Sequence, residues 1–172
     1  SDLHEIVYQP KVPTIGEVNL TLGRISLGYS HNIDSEDSNE LSYTNYHLAT
    51  FFISFGFDAD YTEFLRFRIL EDQGFDGGPI KTEELERLDM ASRYIAANIY
   101  YFPLRLGYDL KSSMEPAALK SSGVALGAIG SYTESGIDTP GGLIPTPWQK
   151  AFGKDGEFQR GSLSSKNIKL AL

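Results

Sequence analysis

The residues with the clearest capacity for chemistry lie where a candidate strand gives way to a polar loop. Tyr29-Ser30-His31-Asn32 is followed at short distance by Ser35. A histidine beside a serine can act as a general base that turns the hydroxyl into a nucleophile. A junction of strand and loop is also a common place for a histidine that faces water. We favour the second interpretation, so the sequence predicts no catalytic residue.

An acidic loop directly after this stretch offers oxygen ligands. Asp34, Glu36, Asp37 and Glu40 carry carboxylates, which are the groups that Ca²⁺ prefers. Their spacing does not match an EF-hand loop, and most acidic surface loops are simply solvated. We therefore predict no metal site here.

Composition excludes several classes of function. The chain has 172 residues, which is enough for one domain with a sizeable core. It has no cysteine, so disulfides, thiolate metal sites and cysteine nucleophiles are excluded. The net charge of -8 argues against nucleic acid as a main partner. The three histidines fall at no metal-site spacing, and no cofactor is predicted.

The elements around these residues read as β-strands, because apolar and polar residues alternate with a period of two. The first alternating stretch, 18–22, shifts phase at Gly23-Arg24 and continues over 25–29. We favour a tight hairpin turn at Gly23-Arg24 over a bulge. Further alternating stretches are Tyr43–Phe57, Leu65–Ile69, Met90–Phe102, Leu104–Lys111, Val124–Tyr132 and Lys166–Leu172.

Details within these strands are also predicted. In Tyr43–Phe57 the odd positions form the apolar face. Asp58–Asp60 and Phe102-Pro103 are predicted as short turns. The only helix candidate is Lys81–Met90, as a short loop helix.

The connections between strands favour a membrane barrel. Short turns at Gly23-Arg24, Asp58–Asp60 and Phe102-Pro103 alternate with longer connections at Asn32–Glu40 and Glu71–Leu88. Outer-membrane barrels have this rhythm, with short periplasmic turns and long outer loops, whereas a Greek-key sandwich has no need of it. The strands are about ten residues long, as a tilted strand needs in order to cross a bilayer.

The alternation assigns side chains to two environments. Residues predicted to face the membrane are Phe51, Ile53, Phe55, Leu65, Phe67, Leu106 and Leu110. Polar residues predicted to face the lumen are Arg66, Arg68, Arg105, Asp109 and Lys111. The lumen residues could line a pore or an anion path, but ion pairs that fill a narrow barrel are favoured. Aromatic residues near strand ends fit interfacial girdles: Tyr29, Tyr43, Phe57, Tyr61, Tyr101, Tyr108 and Tyr132.

Several short motifs resemble a known family. "YQPKVPTIGEVNLTLGRISLGYSHN", "GFDADY", "IYYFPLRLGYDLKSS", "LKSSGVALGAIGSY" and "LIP" are similar to segments of an uncharacterised family of bacterial outer-membrane β-barrels, known as a domain of unknown function. One departure is Ser121-Ser122-Gly123-Val124, where the family carries Ser-Ala-Gly-Ser. The resemblance implies further strands after Leu172 and supplies a fold and a location, without an activity.

The sequence thus predicts one all-β domain over 1–172, incomplete at its C-terminus. Its expected fold is a transmembrane antiparallel up-and-down β-barrel, or a large portion of one, in a bacterial outer membrane. The expected partners are the lipid bilayer, lipopolysaccharide and other envelope proteins, for a non-enzymatic structural or accessory subunit of an envelope assembly. A small pore or transport barrel, a lipid hydrolase that uses His31 and a soluble β-sandwich binding module are the alternatives.

Overall fold

The computed structural model describes residues 5–9, 14–33, 42–73, 86–106, 124–145 and 161–172. In these ranges the chain forms eight strands: β1 (Glu5–Gln9), β2 (Ile15–Leu22), β3 (Ile25–Asn32), β4 (Ser42–Phe51), β5 (Phe55–Gln73), β6 (Glu86–Leu106), β7 (Val124–Asp138) and β8 (Ser162–Ala171). No helix there is long and apolar enough to cross a membrane.

The strands form one sheet in the order β2-β3-β4-β5-β6-β7-β8, and each strand is antiparallel to the next. β1 pairs with the last third of β5, beyond the part that β4 occupies. The predicted all-β, antiparallel, up-and-down arrangement is therefore confirmed. Among the described strands the sheet is not closed into a barrel, because β2 and β8 each have a strand neighbour on one side only.

The first hairpin, β2–β3, turns at the residues that the sequence predicts. β2 and β3 pair without irregularity from Ile15↔Asn32 to Leu22↔Ile25, so the turn consists of Gly23-Arg24, as predicted. Gly23 has φ 63°, in the left-handed region where glycine has no steric penalty.

The predicted turn at Asp58–Asp60 is wrong. The β4–β5 turn lies at 52–54, where the Phe52 amide donates a 2.6 Å hydrogen bond to the Phe55 carbonyl. Asp58 and Asp60 lie inside β5, opposite Ala49 and His47. The two carboxylates alternate with apolar neighbours and share one face of the strand, so together they keep the period of two that defines it.

β6 also runs through a predicted boundary. Phe102-Pro103 lies inside it, where the pairing with β7 shifts register between Tyr101 and Leu104. Proline has no N–H to donate to the ladder, which accounts for an irregularity rather than an end. The backbone of Gly127 lies close to this irregularity. A Cβ atom on residue 127 would lie 2.0 Å from the Tyr101 carbonyl oxygen.

The predicted connections and helix change accordingly. The first four connections between β2 and β6 still alternate short and long, but the fifth spans 107–123 instead of two residues. Residues 86–90, the end of the helix candidate, begin β6 as extended chain. The segment 81–85 lies outside the described residues.

Candidate functional site

The two faces of the sheet differ in chemistry and exposure in an unusual way. In β3, the apolar Ile25 and Leu27 are each 47% exposed, whereas Ser30 and Asn32 on the opposite face are 8% and 9% exposed. A strand at the surface of a water-soluble domain normally buries its apolar side chains and exposes its polar ones. In β3 this rule is reversed.

Cross-strand register extends the division into an apolar and a polar face over the whole sheet, since directly paired residues share a face. The reversal of exposure itself is a feature of β3, because β2 and β8 are exposed on both faces. The apolar face holds Val18, Leu20, Leu22, Ile25, Leu27, Tyr29, Tyr46, Leu48, Phe57, Ala59, Tyr61, Ile95, Ala97, Ile99 and Tyr101. One row of paired residues runs across all seven strands of the path: Leu20, Leu27, Leu48, Ala59, Ala97, Tyr132 and Ile168.

A tyrosine row bounds the apolar face toward one end of the strands. Tyr29, Tyr46 and Tyr61 are paired in register on β3, β4 and β5. Their ring centroids lie 5.3 Å apart for Tyr29–Tyr46 and 6.2 Å apart for Tyr46–Tyr61. Tilted aromatic pairs at such distances are mutually stabilising. The row thus forms a continuous aromatic border.

Charged and polar side chains follow immediately beyond the tyrosine row. Glu63 accepts a 3.1 Å hydrogen bond from Arg93, directly across from it on β6. Toward the β8 edge, Lys166 lies 3.2 Å from Glu134, and this pair is level with the tyrosine row. The apolar face therefore becomes charged two residues beyond the row on β5 and β6, and at the level of the row on β7 and β8.

The opposite end of the apolar face carries a second group of aromatic residues. Phe52, Phe55 and Tyr101 are between 42% and 53% exposed. The Arg24 guanidinium lies 5.8 Å from the centroid of the Phe52 ring, so the turns at 23–24 and 52–54 touch each other. Aromatic rings therefore border the apolar side chains at both ends.

The apolar face also contains a shallow groove of about 540 Å³. It lies below the tyrosine row, where Ala59 is small and the neighbouring Leu48 and Ile95 are large. Almost the whole lining is apolar, so the groove offers dispersion contacts and little hydrogen bonding.

The opposite, polar face is a ladder of paired side chains. His47 Nδ1 lies 2.8 Å from Asp60 Oδ1, and Asn98 donates a 2.8 Å hydrogen bond to Asp58. The Asn45 amide donates a 2.8 Å hydrogen bond to the Thr62 hydroxyl. Each of these pairs joins directly opposed residues of neighbouring strands. The other polar members of this face are Glu17, Asn19, Thr21, Ser26, Ser30, Ser131, Thr133, Asn167 and Lys169.

A buried cluster, the Arg87 clamp, lies at the strand ends beyond the charged row. It consists of Tyr8, Arg87, Asp89, Thr139 and the backbone of 141–143. Arg87 donates two hydrogen bonds of 2.9 and 3.0 Å to Asp89 and a third of 2.7 Å to the Gly142 carbonyl. It also donates to the Thr139 hydroxyl, which itself donates a 2.8 Å hydrogen bond to Asp89.

The Arg87 clamp joins distant parts of the chain. The Tyr8 hydroxyl donates to the Leu143 carbonyl, which ties β1 to the segment after β7. Thr139 is fully buried, and Ile69, Met90 and Ile144 are buried with it. The hydrogen bonds of the clamp therefore fix 139–143 against β1 and β6.

The electrostatics of the clamp follow from these bonds. Hydrogen bonds from Arg87, and further ones from Thr139 and the Gly141 amide, hold the pKa of the Asp89 carboxyl well below its ordinary value. Burial raises the pKa of the Tyr8 phenol. Asp89 is thus held as a carboxylate and Tyr8 as a neutral donor.

The residues predicted to face the membrane fall into different places. Phe55 and Leu65 lie on the apolar face. Phe51 lies on the polar face, opposite Gly56, with its ring 6.1 Å from that of Tyr100. Ile53 is exposed in the β4–β5 turn. Thus the odd positions of β4 form its polar face, against the prediction.

The remaining members of that set lie near or beyond strand ends. Phe67 lies after an irregularity in the β5–β6 pairing, opposite Arg87. Leu106 is opposite Val124 at the end of β6. Leu110 lies outside the described residues.

The residues predicted to face the lumen are also dispersed. Arg66 sits at the β5 irregularity with φ 71°, an unusual backbone conformation for a residue with a side chain. Arg68 is exposed between Gln9 and Glu86. Arg105 is opposite Ala125. Asp109 and Lys111 lie outside the described residues.

The candidate hydrolase residues do not meet on one face. His31 lies on the same face as the tyrosine row, stacked on Tyr29, with its Nδ1 3.3 Å from the Thr44 hydroxyl. Ser30 lies on the polar face and is paired with Asn45. Ser35 and the acidic loop 34–40 lie outside the described residues.

Sequence reasoning missed the residues that make the most specific contacts. His47 was assigned to the apolar face of its strand, and Asp58 and Asp60 were predicted to form a turn, although the spacing of two between the aspartates is a signal for one face of a strand. Arg87 and Asp89 also have a spacing of two and face one side of β6. The contact of Arg87 with Thr139 has no local sequence signal, because the two are 52 residues apart.

Neither the arrangement of metal-binding side chains in the described ranges nor comparison with known proteins identifies a function. Within the described ranges, no group of three or more His, Asp or Glu side chains is placed to hold a metal ion. Comparison with known protein families, curated proteins and solved structures gives no match. The family resemblance therefore rests on the sequence motifs alone.

Proposed function

We propose that this chain is an integral outer-membrane β-barrel protein, or a large part of its wall, with a non-enzymatic structural or accessory role in a cell-envelope assembly. The observation that carries the proposal is the reversal in β3, where Ile25 and Leu27 are half exposed while Ser30 and Asn32 are buried. In a membrane barrel, the apolar side chains of the outer face contact lipid and the polar side chains of the inner face line the lumen.

The borders of the apolar face support lipid over a second packed sheet. The tyrosine row at one end, and Phe52, Phe55 and Tyr101 at the other, resemble the aromatic girdles of membrane barrels. Ion pairs such as Glu63–Arg93 lie just beyond the tyrosine row, where lipid headgroups would lie. A second sheet has no need of an aromatic border at each end.

The height of the apolar face also supports the proposal. On β6 it runs from Ile95 to Leu104, opposite Glu134 and Leu126 on β7, which is about 26 Å along the sheet at about 3.3 Å per residue of β7. At a barrel tilt of about 40° this gives a height of about 20 Å, somewhat less than the band of about 25 Å in outer-membrane barrels.

The non-enzymatic part of the proposal rests on how the polar side chains are used. His47 is held by Asp60, and Asp58 by Asn98, so these groups fill the inner face as hydrogen-bonded pairs. His31 and Ser30 lie on opposite faces, which argues against a nucleophile at Ser30 activated by His31.

The experiment that tests the proposal uses the absence of cysteine. Single cysteines at Leu20, Leu27 and Leu48 are labelled with an environment-sensitive fluorophore, with Thr21, Ser26 and Ala49 as neighbours on the opposite face. In bilayers with brominated lipids, we expect strong quenching for the first set and weak quenching for the second. Equal quenching of both sets, or recovery of the protein in the soluble fraction without detergent, would refute the proposal.

A small pore is the second candidate, and the acidic character of the polar face favours it. Glu17, Asp58 and Asp60 share that face, so a lumen lined by it would favour cations. Single-channel recording in planar bilayers checks this. Cation-selective conductance that falls in Asp60→Asn supports a pore, and a silent bilayer with correctly inserted protein argues against it.

A further inference from the structure

The groove in the apolar face ends directly below a pair of charged side chains. On β5 and β6 it is lined by Ala59, Tyr61 and Ile95. Glu63 and Arg93 lie two residues further along the same strands and on the same face, which is about 7 Å at about 3.3 Å per residue. A molecule that fills the groove can therefore reach both charged groups.

The charges at this level alternate in sign. The Arg93 Nε atom lies 3.1 Å from Glu63, and its Nη1 atom lies 3.9 Å from Asp138. The Arg93 and Asp138 side chains are 54% and 56% exposed, so both are accessible to a bound molecule. A headgroup that carries one phosphate and one ammonium complements a cation between two carboxylates, whereas a purely anionic headgroup is repelled by the carboxylates.

Hydrogen-bonding groups continue the same row on β3 and β4. His31 and Thr44 are paired in register, one step beyond the tyrosine row, and His31 Nδ1 lies 3.3 Å from the Thr44 hydroxyl. The Thr44 hydroxyl can donate a hydrogen bond to the ester oxygens of a phospholipid, which lie between its headgroup and its acyl chains.

We propose that the groove binds one phospholipid with a phosphoethanolamine headgroup. This inference rests on the proposed membrane location. One acyl chain lies in the groove against Ala59, because the lining there is almost wholly apolar. The phosphate accepts hydrogen bonds from Arg93, and the ammonium lies against Glu63 and Asp138.

Native mass spectrometry tests the proposal. The protein is folded into vesicles that contain phosphatidylethanolamine and phosphatidylglycerol in equal amounts, and it is then released into a mild detergent. We expect one retained phosphatidylethanolamine per chain, in several-fold excess over phosphatidylglycerol.

Two matched substitutions test the groove itself. Ala59→Phe fills the groove and should abolish the retention of lipid. Ala97→Phe is the control and should leave it unchanged, because Ala97 lies directly opposite Ala59 on the same face but is not part of the groove lining. Ala59→Leu repeats the measurement with a smaller side chain if Ala59→Phe does not insert into the vesicles.

A second matched pair tests the headgroup. Arg93→Gln should remove the preference for phosphatidylethanolamine. Lys166→Gln should retain it, because the exposed pair of Lys166 with Glu134 lies on β7 and β8, away from the groove.

Several outcomes overturn the inference. These are equal retention of the two lipids, an excess of phosphatidylglycerol, equal losses in the Ala59 and Ala97 variants, and no retained lipid, as expected if a segment of the same chain fills the groove. Bromolipid quenching of a cysteine at position 48 reports on the membrane location separately. Strong quenching without a retained lipid therefore overturns the lipid site alone, whereas absent quenching overturns the proposed function as well.

Discussion

The Arg87 clamp and the apolar face follow opposite rules within one chain. Next to the clamp along the chain, the apolar Met90 and Ile144 are buried, and within it the buried Arg87 donates to Asp89, Thr139 and backbone carbonyls. On the apolar face, side chains such as Leu20 and Leu27 are half exposed, and polar groups occupy the other side of the strands. One region is organised as in a water-soluble protein, and the other is not.

The proposed membrane location accounts for this difference by two solvents. A buried guanidinium is tolerated because the hydrogen bonds of the clamp replace the water it has lost. A continuous exposed apolar surface is tolerated only where water does not cover it. Under the proposed function, the clamp lies outside the bilayer and the apolar face lies within it, with the tyrosine row between them.

The largest effect is expected from removing the centre of the clamp. Arg87→Ala leaves the Gly142 carbonyl and the Thr139 hydroxyl each short of a hydrogen-bond partner in a buried site. At about 1–3 kcal/mol for each buried group, together with the lost packing of the arginine stem, we expect a loss of about 3–5 kcal/mol. Urea unfolding and limited proteolysis at 139–145 measure it. Arg93→Ala is the control, because Arg93 is 54% exposed and its pair with Glu63 is worth less than about 1 kcal/mol. Equal losses in the two variants would contradict the assignment of the clamp as a buried core.

The second largest loss of stability is expected on the apolar face, where it distinguishes contact with lipid from contact with water. If lipid covers Leu20, Leu20→Arg should cost about 2–4 kcal/mol, as arginine does at the lipid face of membrane barrels. The neighbouring Thr21→Arg, on the polar face, should cost less than about 1 kcal/mol. Urea titration of protein folded into vesicles measures both, and a neutral Leu20→Arg would indicate water at this surface.

A smaller effect is expected at the border between the two regions. Tyr46→Ala removes the ring contacts with Tyr29 and Tyr61, with an expected loss of about 1–3 kcal/mol for the two pairs. Tyr46→Phe keeps both rings in contact and should retain most of the stability in the same vesicle titration. A similar loss for both variants would mean that the hydroxyl, and not the stacking, is what matters.

The smallest effect concerns pH and the clamp alone. The pKa of Asp89 in the folded protein lies below its value in the unfolded chain, so its ionisation stabilises the fold above about pH 4. This contribution is lost as the pH falls below 4 toward the folded-state pKa. The effect is modest because the Asp89 side chain is 37% exposed.

Proteolysis at 139–145 as a function of pH measures this loss. Asp89→Asn should remove the pH dependence from the clamp. The unfolding of the apolar face, followed by its lipid quenching, should keep its own pH dependence in that variant. An unchanged pH profile of proteolysis in Asp89→Asn would assign the titration to another group.

Much of the fold was predictable from the sequence, because it depends on the chemistry of neighbouring residues. The turn at Gly23-Arg24 was predictable because a phase shift of apolar residues coincides with a glycine. The all-β, up-and-down order followed from the period of two. The prediction failed at Asp58–Asp60 because this short polar break in an aromatic run resembles a turn, although two carboxylates spaced by two also fit one face of a continuous strand.

The candidate site was less predictable. The sequence prediction counted one alternation from Tyr43 to Phe57 and so placed Phe51 on the face of Phe55 and Phe57. Because the chain turns at 52–54, Phe51 lies opposite Gly56 on the polar face. The pair of His47 with Asp60 depends on how β4 and β5 align, which the true turn at 52–54 sets.

The sequence by itself determined that this protein is built from antiparallel strands with chemically distinct faces, because alternation is a property of neighbouring residues. Tertiary structure alone decided which face is exposed, that the described strands form an open sheet with β2 and β8 running in the same direction, and that Arg87 meets Thr139. These depend on strand register and on contacts between residues far apart in the chain, and a one-residue change in register reverses every face assignment.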